Sequence, residues 1–311
     1  MHKGITILIS KALNWFTSRI YLVLFLIVER LSLKQADKLG RFLGGLLFYS
    51  SIQRRKIVEE NVQTLKAWAD KRNLKNPLLD QDNKAISKKI YQSNAGNFFY
   101  SFALMNKSKA TIDKHIKISN LELLKKVYEK NQGVIMLFSH AGPFELTVML
   151  QRLIPTIFNE CKMNIMYRPL NNTFTEKWYK RKRERFGAKL FSREDGFFKI
   201  IRKIRNGSFV ILASDIRMQQ GKKVELFDRL ATTSKIPHTL HRATKAPVVA
   251  ISYVKLDDVS WEIQFKEIAF PRDGVCSEID LLKAANEHLE QIIFKNPHDY
   301  FFFQNRYLNQ F

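Results

Sequence analysis

The chain has 311 residues, 45% of them hydrophobic and 12% aromatic, which is enough to bury a sizeable core and excludes a disordered or fibrous protein. Its formal charge is +23, from 52 Lys and Arg against 29 Asp and Glu. Such self-repulsion makes sense beside an anionic partner: a nucleic acid, an acidic membrane surface, a phosphorylated substrate or an acidic carrier protein. The cysteines Cys161 and Cys276 lie far apart and match no metal-ligand spacing, so they read as reduced thiols.

From the N-terminus, Ile5 to Leu33 is rich in apolar residues but interrupted by Lys11, Arg19, Glu29 and Arg30. Its uninterrupted stretch, Ile20 to Val28, is shorter than the roughly 20 residues that span a bilayer. Glu29-Arg30 stands where a small-residue cleavage site would follow a signal sequence. The expectation is an amphipathic helix in the membrane interface, with Trp15, Phe16 and Tyr21 at headgroup depth and cations on acidic lipids. A helix packed on the domain is the alternative.

Residues 32–68 read as helix: Ser32 suits a cap, Leu39, Phe42, Leu43, Leu46 and Leu47 recur at helical spacing, and Ile57, Val58, Val62 and Leu65 mark a second segment. Residues 70–84 are a polar loop, and a further helix is expected from Ala85 to Leu104. Beyond this the rhythm changes. A strand at His115–Ile118 precedes a helix at Asn120–Lys130, and the run from Gly133 to Phe138 has the continuous apolarity of a buried parallel strand. A helix from Pro143 to Leu153 follows, then strand Asn164–Tyr167, a basic helix Phe174–Phe186, strand Lys189–Phe191, helix Gly196–Arg205 and strand Phe209–Ala213. Helix Pro237–Thr244, strands Val248–Tyr253 and Trp261–Phe265, and helix Glu278–Ile293 complete the series. The expected class is α/β, a mainly parallel mixed sheet flanked by helices with a helical N-terminal region. The expected organisation is an interface helix at 1–33 and one domain at 34–311, helical over 34–110 and α/β over 111–311.

Chemistry concentrates in Phe138-Ser-His140-Ala-Gly-Pro-Phe-Glu145. His140 follows a buried strand, where open α/β sheets bind ligands. On one continuous helix His140 and Glu145 would stand about 140° apart, but Gly142-Pro143 bends the chain and lets the carboxylate fold back. A carboxylate on one ring nitrogen fixes the tautomer and frees the other to take a proton, which equips the pair to activate a hydroxyl. A helix-capping loop with incidental His and Glu is the bland reading of the same spacing.

His-x-x-x-x-Glu after an apolar strand resembles the first motif of the glycerolipid acyltransferase superfamily. More narrowly, the chain resembles the bacterial lipid A biosynthesis acyltransferases, whose motif usually reads His-x-Gly-Asn-Trp-Glu. Here His140, Gly142, the aromatic Phe144 and Glu145 match, and Pro143 replaces Asn. Tyr167-Arg168-Pro169-Leu170, with a basic helix ending Arg185-Phe-Gly187, is similar to the family's Tyr-Arg-Pro segment. Ala213-Ser-Asp215, Gly221, Val224-Glu-Leu-Phe227, Thr232-Thr233 and Lys245-Ala-Pro-Val-Val249 resemble later segments, so the likeness runs from about residue 20 to the C-terminus. Asp228-Arg229 departs from the family's glycine, Ile216 from its Gln, and Tyr300-Phe-Phe-Phe-Gln-Asn-Arg306 keeps only the Arg of a His-Arg-Arg cluster.

The resemblance implies transfer of a fatty acyl group from an acyl thioester, carried by acyl carrier protein, to a hydroxyl of an anionic lipid A precursor at the inner membrane's cytoplasmic face. His140 is the expected base and Glu145 its orienter. Arg168, Asp215 and Arg185 are the expected substrate contacts, with Arg168 or N–H groups at the Pro143 helix as oxyanion donors. Asp215 reads equally as a cap or turn residue. No metal or cofactor is implied, because there is no phosphate-cradling glycine loop and no His/Cys cluster. The helix around Lys177–Arg185 would meet lipid phosphates, a bilayer or the carrier protein. The competing readings are another lipid acceptor, a basic nucleic-acid-binding protein, whose motifs are missing, and a catalytically dead membrane scaffold.

Overall fold

The computed structural model describes residues 2–130, 133–154, 162–218, 220–270 and 278–307. Cys161 and Cys276, and the side chain of Phe16, lie outside the described residues.

Three long helices lead, α1 (His2–Arg30), α2 (Leu33–Ser50) and α3 (Ile52–Lys71), followed by α4 (Asn83–Met105). Ser32 caps α2 as expected, accepting from the Gln35 backbone N–H while the Gln35 side chain accepts from the Ser32 N–H. The helical stretch expected over 32–68, with its second segment around Ile57–Leu65, is the two helices α2 and α3, divided at Ser51, which takes a non-helical conformation (φ −103°, ψ 62°). α2 lies closely against α4: an added Cβ at Gly40 or Gly44 would enter the backbone of Ala95–Gly96 or Tyr91–Gln92. Among the described residues, no helix is long and apolar enough to cross a membrane.

The remainder alternates: α5 (Lys109–His115), β1 (Ile116–Ser119), α6 (Leu121–Lys130), β2 (Val134–Phe138), α7 (Leu150–Leu153), β3 (Met163–Met166), α8 (Thr173–Glu184), β4 (Lys189–Phe191), α9 (Phe197–Arg205) and β5 (Phe209–Ala213). Then come β6 (Lys222–Leu226), β7 (Arg229–Thr233), α10 (Ile236–Thr244), β8 (Val248–Lys255), β9 (Trp261–Glu267) and α11 (Glu278–Lys295). The large sheet runs β1-β9-β8-β2-β5-β3-β4. From β8 through β4 all its neighbours are parallel, and β9 is antiparallel to β8. The fold is therefore α/β on a mainly parallel mixed sheet, as the alternation of strands and helices predicts. β2 is buried at all five positions, because helices cover both faces of a parallel sheet and leave the central strands no polar side.

Three elements depart from expectation. The helix expected from Pro143 opens as a 3₁₀ helix, Phe144–Met149, and becomes α-helical only in α7; Pro143 precedes its first turn. α5 was not expected. Nor was the hairpin β6–β7, whose two-residue turn Phe227-Asp228 has φ 53° and 58°. Positive φ at both positions usually calls for Asn-Gly or Asp-Gly; the resemblance implies an aromatic-glycine turn here, and Asp228 takes the place of the glycine. Asp228 is held from outside by Arg72 at 2.6 Å and Lys71 at 3.1 Å, whose hydrogen bonds and charges bring its carboxyl down to about 2.

Candidate functional site

Two strands build the site. β2 and β5 are parallel neighbours in the register Phe138 to Ala213, and the Ser214 N–H donates to the Phe138 carbonyl at 2.9 Å, extending the pairing past the strand ends. Two residues on from that pair, His140 and Asp215 therefore face each other at the carboxyl edge of the sheet. The carboxylate accepts twice from the same residue: Oδ1 from the imidazole Nδ1 at 2.8 Å and Oδ2 from the His140 backbone N–H at 2.7 Å.

This double contact fixes the ring. With an ionised partner Nδ1 must carry the proton, which leaves the lone pair on Nε2; Nε2 has no hydrogen-bond partner among the described residues. The His140 side chain keeps 18% of its surface, whereas Asp215 keeps 2%. Phe144 packs edge-on against the imidazole at 4.6 Å between centroids, and Phe138 and Phe301 lie at 5.5 and 6.0 Å. Burial disfavours the imidazolium, but the charge and hydrogen bond of Asp215 outweigh it, so the His140 pKa is raised above 6.5. Burial likewise opposes the Asp215 carboxylate, yet contact with His140, helped by Arg306, holds its pKa below the usual value.

A second strut holds the loop. The Gly142 N–H donates to the Asp299 carbonyl at 3.0 Å and the Phe301 N–H to the His140 carbonyl at 2.8 Å. The Asp299 carboxylate is itself gripped by Ser93 and Asn97 of α4 and by Asn296. The helical layer thus reaches the carboxyl edge of the sheet through the C-terminal segment. Gly142 has φ +66°, and an added Cβ would lie 3.1 Å from both Trp261 and Tyr253. Gly142→Ala is expected to cost about 1–3 kcal/mol, from strain and overpacking together, as a shift in the urea midpoint.

Glu145 is not the orienter of His140; this corrects the sequence expectation. The 3₁₀ turn aims its carboxylate at α8, where Arg183 donates through Nε at 3.1 Å and Nη2 at 2.6 Å, and the Tyr179 hydroxyl donates at 2.6 Å. Arg183 also lies over the Tyr179 ring at 3.9 Å. The group is buried, with Glu145 3% exposed. Its charge still reaches His140 and adds to the upward pull on the imidazole.

The expected substrate contacts divide three ways. Arg168 is exposed, two residues beyond β3, the strand next to β5. Its loop is braced by Glu176, which accepts from the Tyr167 hydroxyl at 2.9 Å and the Leu170 N–H at 2.8 Å, and its guanidinium meets no described partner. Asp215 is a buried partner of His140, which leaves it no room to face a substrate. Arg185 is also a correction: it is spent on the C-terminal turn of α4, donating to the Met105 carbonyl and to Asn106 Oδ1, where a cation offsets the helix dipole.

Sequence reasoning missed the pairing of His140 with Asp215, the ion pair from Arg183, and the Asp299 strut. A signal for the first existed. Val134-Ile-Met-Leu-Phe-Ser-His140 and Phe209-Val-Ile-Leu-Ala-Ser-Asp215 are alike in pattern, and setting them side by side as parallel strands brings the two polar ends together.

No curated protein matches the chain. Residues 6–309 match the family model described as bacterial lipid A biosynthesis acyltransferase. A match over nearly the whole length establishes that the chain belongs to the bacterial lipid A biosynthesis acyltransferase family.

Proposed function

We propose that this protein moves a fatty acyl chain from an acyl carrier protein thioester to a hydroxyl of a lipid A precursor, with His140 as general base. The observation that carries the reading is an imidazole whose Nδ1 is locked by a buried carboxylate while Nε2 has no described partner. Nε2 takes the proton of the acceptor hydroxyl as its oxygen bonds to the thioester carbon. The C–S bond then breaks, and the departing thiolate takes the proton back from the imidazolium. Ester and thiol are formed and the histidine is restored.

Asp215 acts through His140 as its orienter and counter-charge. Glu145, fixed by Arg183 and Tyr179, contributes a charge that favours the imidazolium of His140. Arg168 is the favoured cation for the developing oxyanion or an acceptor phosphate, because it is exposed at the right edge and unspent. A six-residue 3₁₀ helix supplies little dipole, so the alternative donor at the Pro143 turn is the weaker of the two. On α8, Lys182 and Arg183 turn inward to Glu29 and Glu145, leaving Lys177 and Arg181 exposed for an acidic carrier protein.

Mass spectrometry of lipid A from cells with the protein, without it, and with His140→Ala tests the proposal. The protein should add one acyl chain of defined mass, and His140→Ala should lose it while remaining folded. An unchanged product with His140→Ala would overturn the assignment.

A further inference from the structure

α2 presents a second apolar face that the core does not use. Phe42, Leu46 and Tyr49 follow one another at four- and three-residue spacing and so share one stripe. Phe42 is 63% exposed, Leu46 52% and Tyr49 60%. Exposed apolar residues scattered singly are ordinary, but a contiguous stripe of large ones marks an interaction surface. The opposite side of α2 is packed on α4 through Gly40 and Gly44.

The stripe is placed by α4. Gly40 meets α4 at Ala95–Gly96 and Gly44 meets it at Tyr91–Gln92. Between and beside those contacts, Asn94 donates to the Tyr300 carbonyl at 3.1 Å and Asn97 to Asp299 at 2.9 Å, and that segment holds the His140 loop. Phe42 therefore stands on the outer side of the helical layer at the level of the catalytic loop. α1 contributes an outward apolar face of its own, with Trp15, Val23, Leu26 and Ile27 all exposed.

Charge selects the occupant. Lys88 donates to the Tyr49 hydroxyl at 3.1 Å and lies 5.2 Å from its ring centre, Lys84 is close enough to act on the same hydroxyl, and Lys38 is exposed on α2 beside the stripe. Cations rimming an apolar helix face, in a chain of net charge +23, match the headgroup and acyl layers of an acidic bilayer. We propose that the Phe42–Leu46–Tyr49 face of α2 is a membrane-docking surface for an anionic lipid bilayer, distinct from α1, which sets the enzyme on the membrane with the catalytic loop at the lipid's level. This rests on the lipid-acceptor reading above.

The test is sedimentation of the full chain with vesicles of phosphatidylcholine alone or mixed with phosphatidylglycerol. It needs no turnover, so it can fail while the acyltransferase reading stands, and the reverse. A triple variant, Phe42→Ser with Leu46→Ser and Tyr49→Ser, is compared with a control, Leu74→Ser with Ile279→Ser, which removes exposed apolar residues elsewhere. Circular dichroism and the thermal midpoint verify that both remain folded. Mixed vesicles should bind the native protein and the control at least about tenfold more tightly than the triple variant, and phosphatidylcholine alone should bind weakly. Equal binding of the triple variant and the native protein would overturn the proposal, as would equal binding to both vesicle types. So would a stripe that alters only self-association, read by light scattering.

Discussion

Asp215→Asn is expected to lower kcat by about 10³–10⁴-fold, the scale on which general-base catalysis collapses when its histidine loses its carboxylate. An amide retains one acceptor oxygen, whereas the native carboxylate accepts from both the ring and the backbone N–H of His140. If the amide nitrogen faces the ring, Nδ1 must become an acceptor and the proton moves to Nε2, the nitrogen that has to be bare. The pH dependence moves as well. The neutral imidazole is the active form, so native activity rises with pH through a midpoint above 6.5. Without the carboxylate, burial is the dominant influence left, and the midpoint of the residual activity should fall. Stability follows the same linkage. The contribution of His140 is complete below the unfolded value of about 6.5 and is lost as pH rises through the folded one; that of Asp215 is complete above about 3.9 and is lost as pH falls. Steady-state rates between pH 5 and 9 decide the matter, and a loss under tenfold with an unmoved midpoint would count against Asp215.

Arg183→Met should be the costliest single change for the fold among the site residues, at about 3–5 kcal/mol. It leaves the Glu145 carboxylate, 3% exposed, with the Tyr179 hydroxyl as its hydrogen-bond partner and no counter-charge. The pair's own net worth is much smaller, because two ions had to leave water to form it. Arg183→Met combined with Glu145→Gln should therefore recover most of the loss in urea unfolding. Equal losses in the single and double variants would mean that the ion pair is not the source. Activity offers a separate reading: Glu145→Gln removes a charge that raises the His140 pKa, so its pH midpoint should move down by less than that of Asp215→Asn.

What could be read in the sequence, and what could not, follows the range of the interactions. β2 and β5 were legible because strands buried on both faces leave unbroken apolar runs, and His140 was legible because it closes one of them. Its partner was misassigned for the same local reason: Glu145 is five residues away and Asp215 is seventy-five, and sequence does not state that β2 and β5 are neighbours. α8 reads as charge alternating with aromatics, and the sequence does not say which cations face in; helical geometry turns Tyr179, Lys182 and Arg183 inward and leaves Lys177 and Arg181 outside. The stripe on α2 has the spacing of a core face and lies on the surface, since Gly40 and Gly44 supply the side that packs. The turn after Phe227 is implied by the family resemblance and not by its own residue types, since Asp228 replaces the glycine and the turn is held from α3.

The central claim is that His140 presents a bare Nε2 because Asp215 holds the proton on Nδ1. Nitrogen NMR of the protein labelled in its seven histidines, with the His140 signals assigned through His140→Gln, measures this directly. The account predicts a protonated Nδ1, an unprotonated Nε2 at neutral to alkaline pH, and titration with a midpoint above 6.5. A proton on Nε2 in the neutral ring, or titration below 6.5, would contradict it.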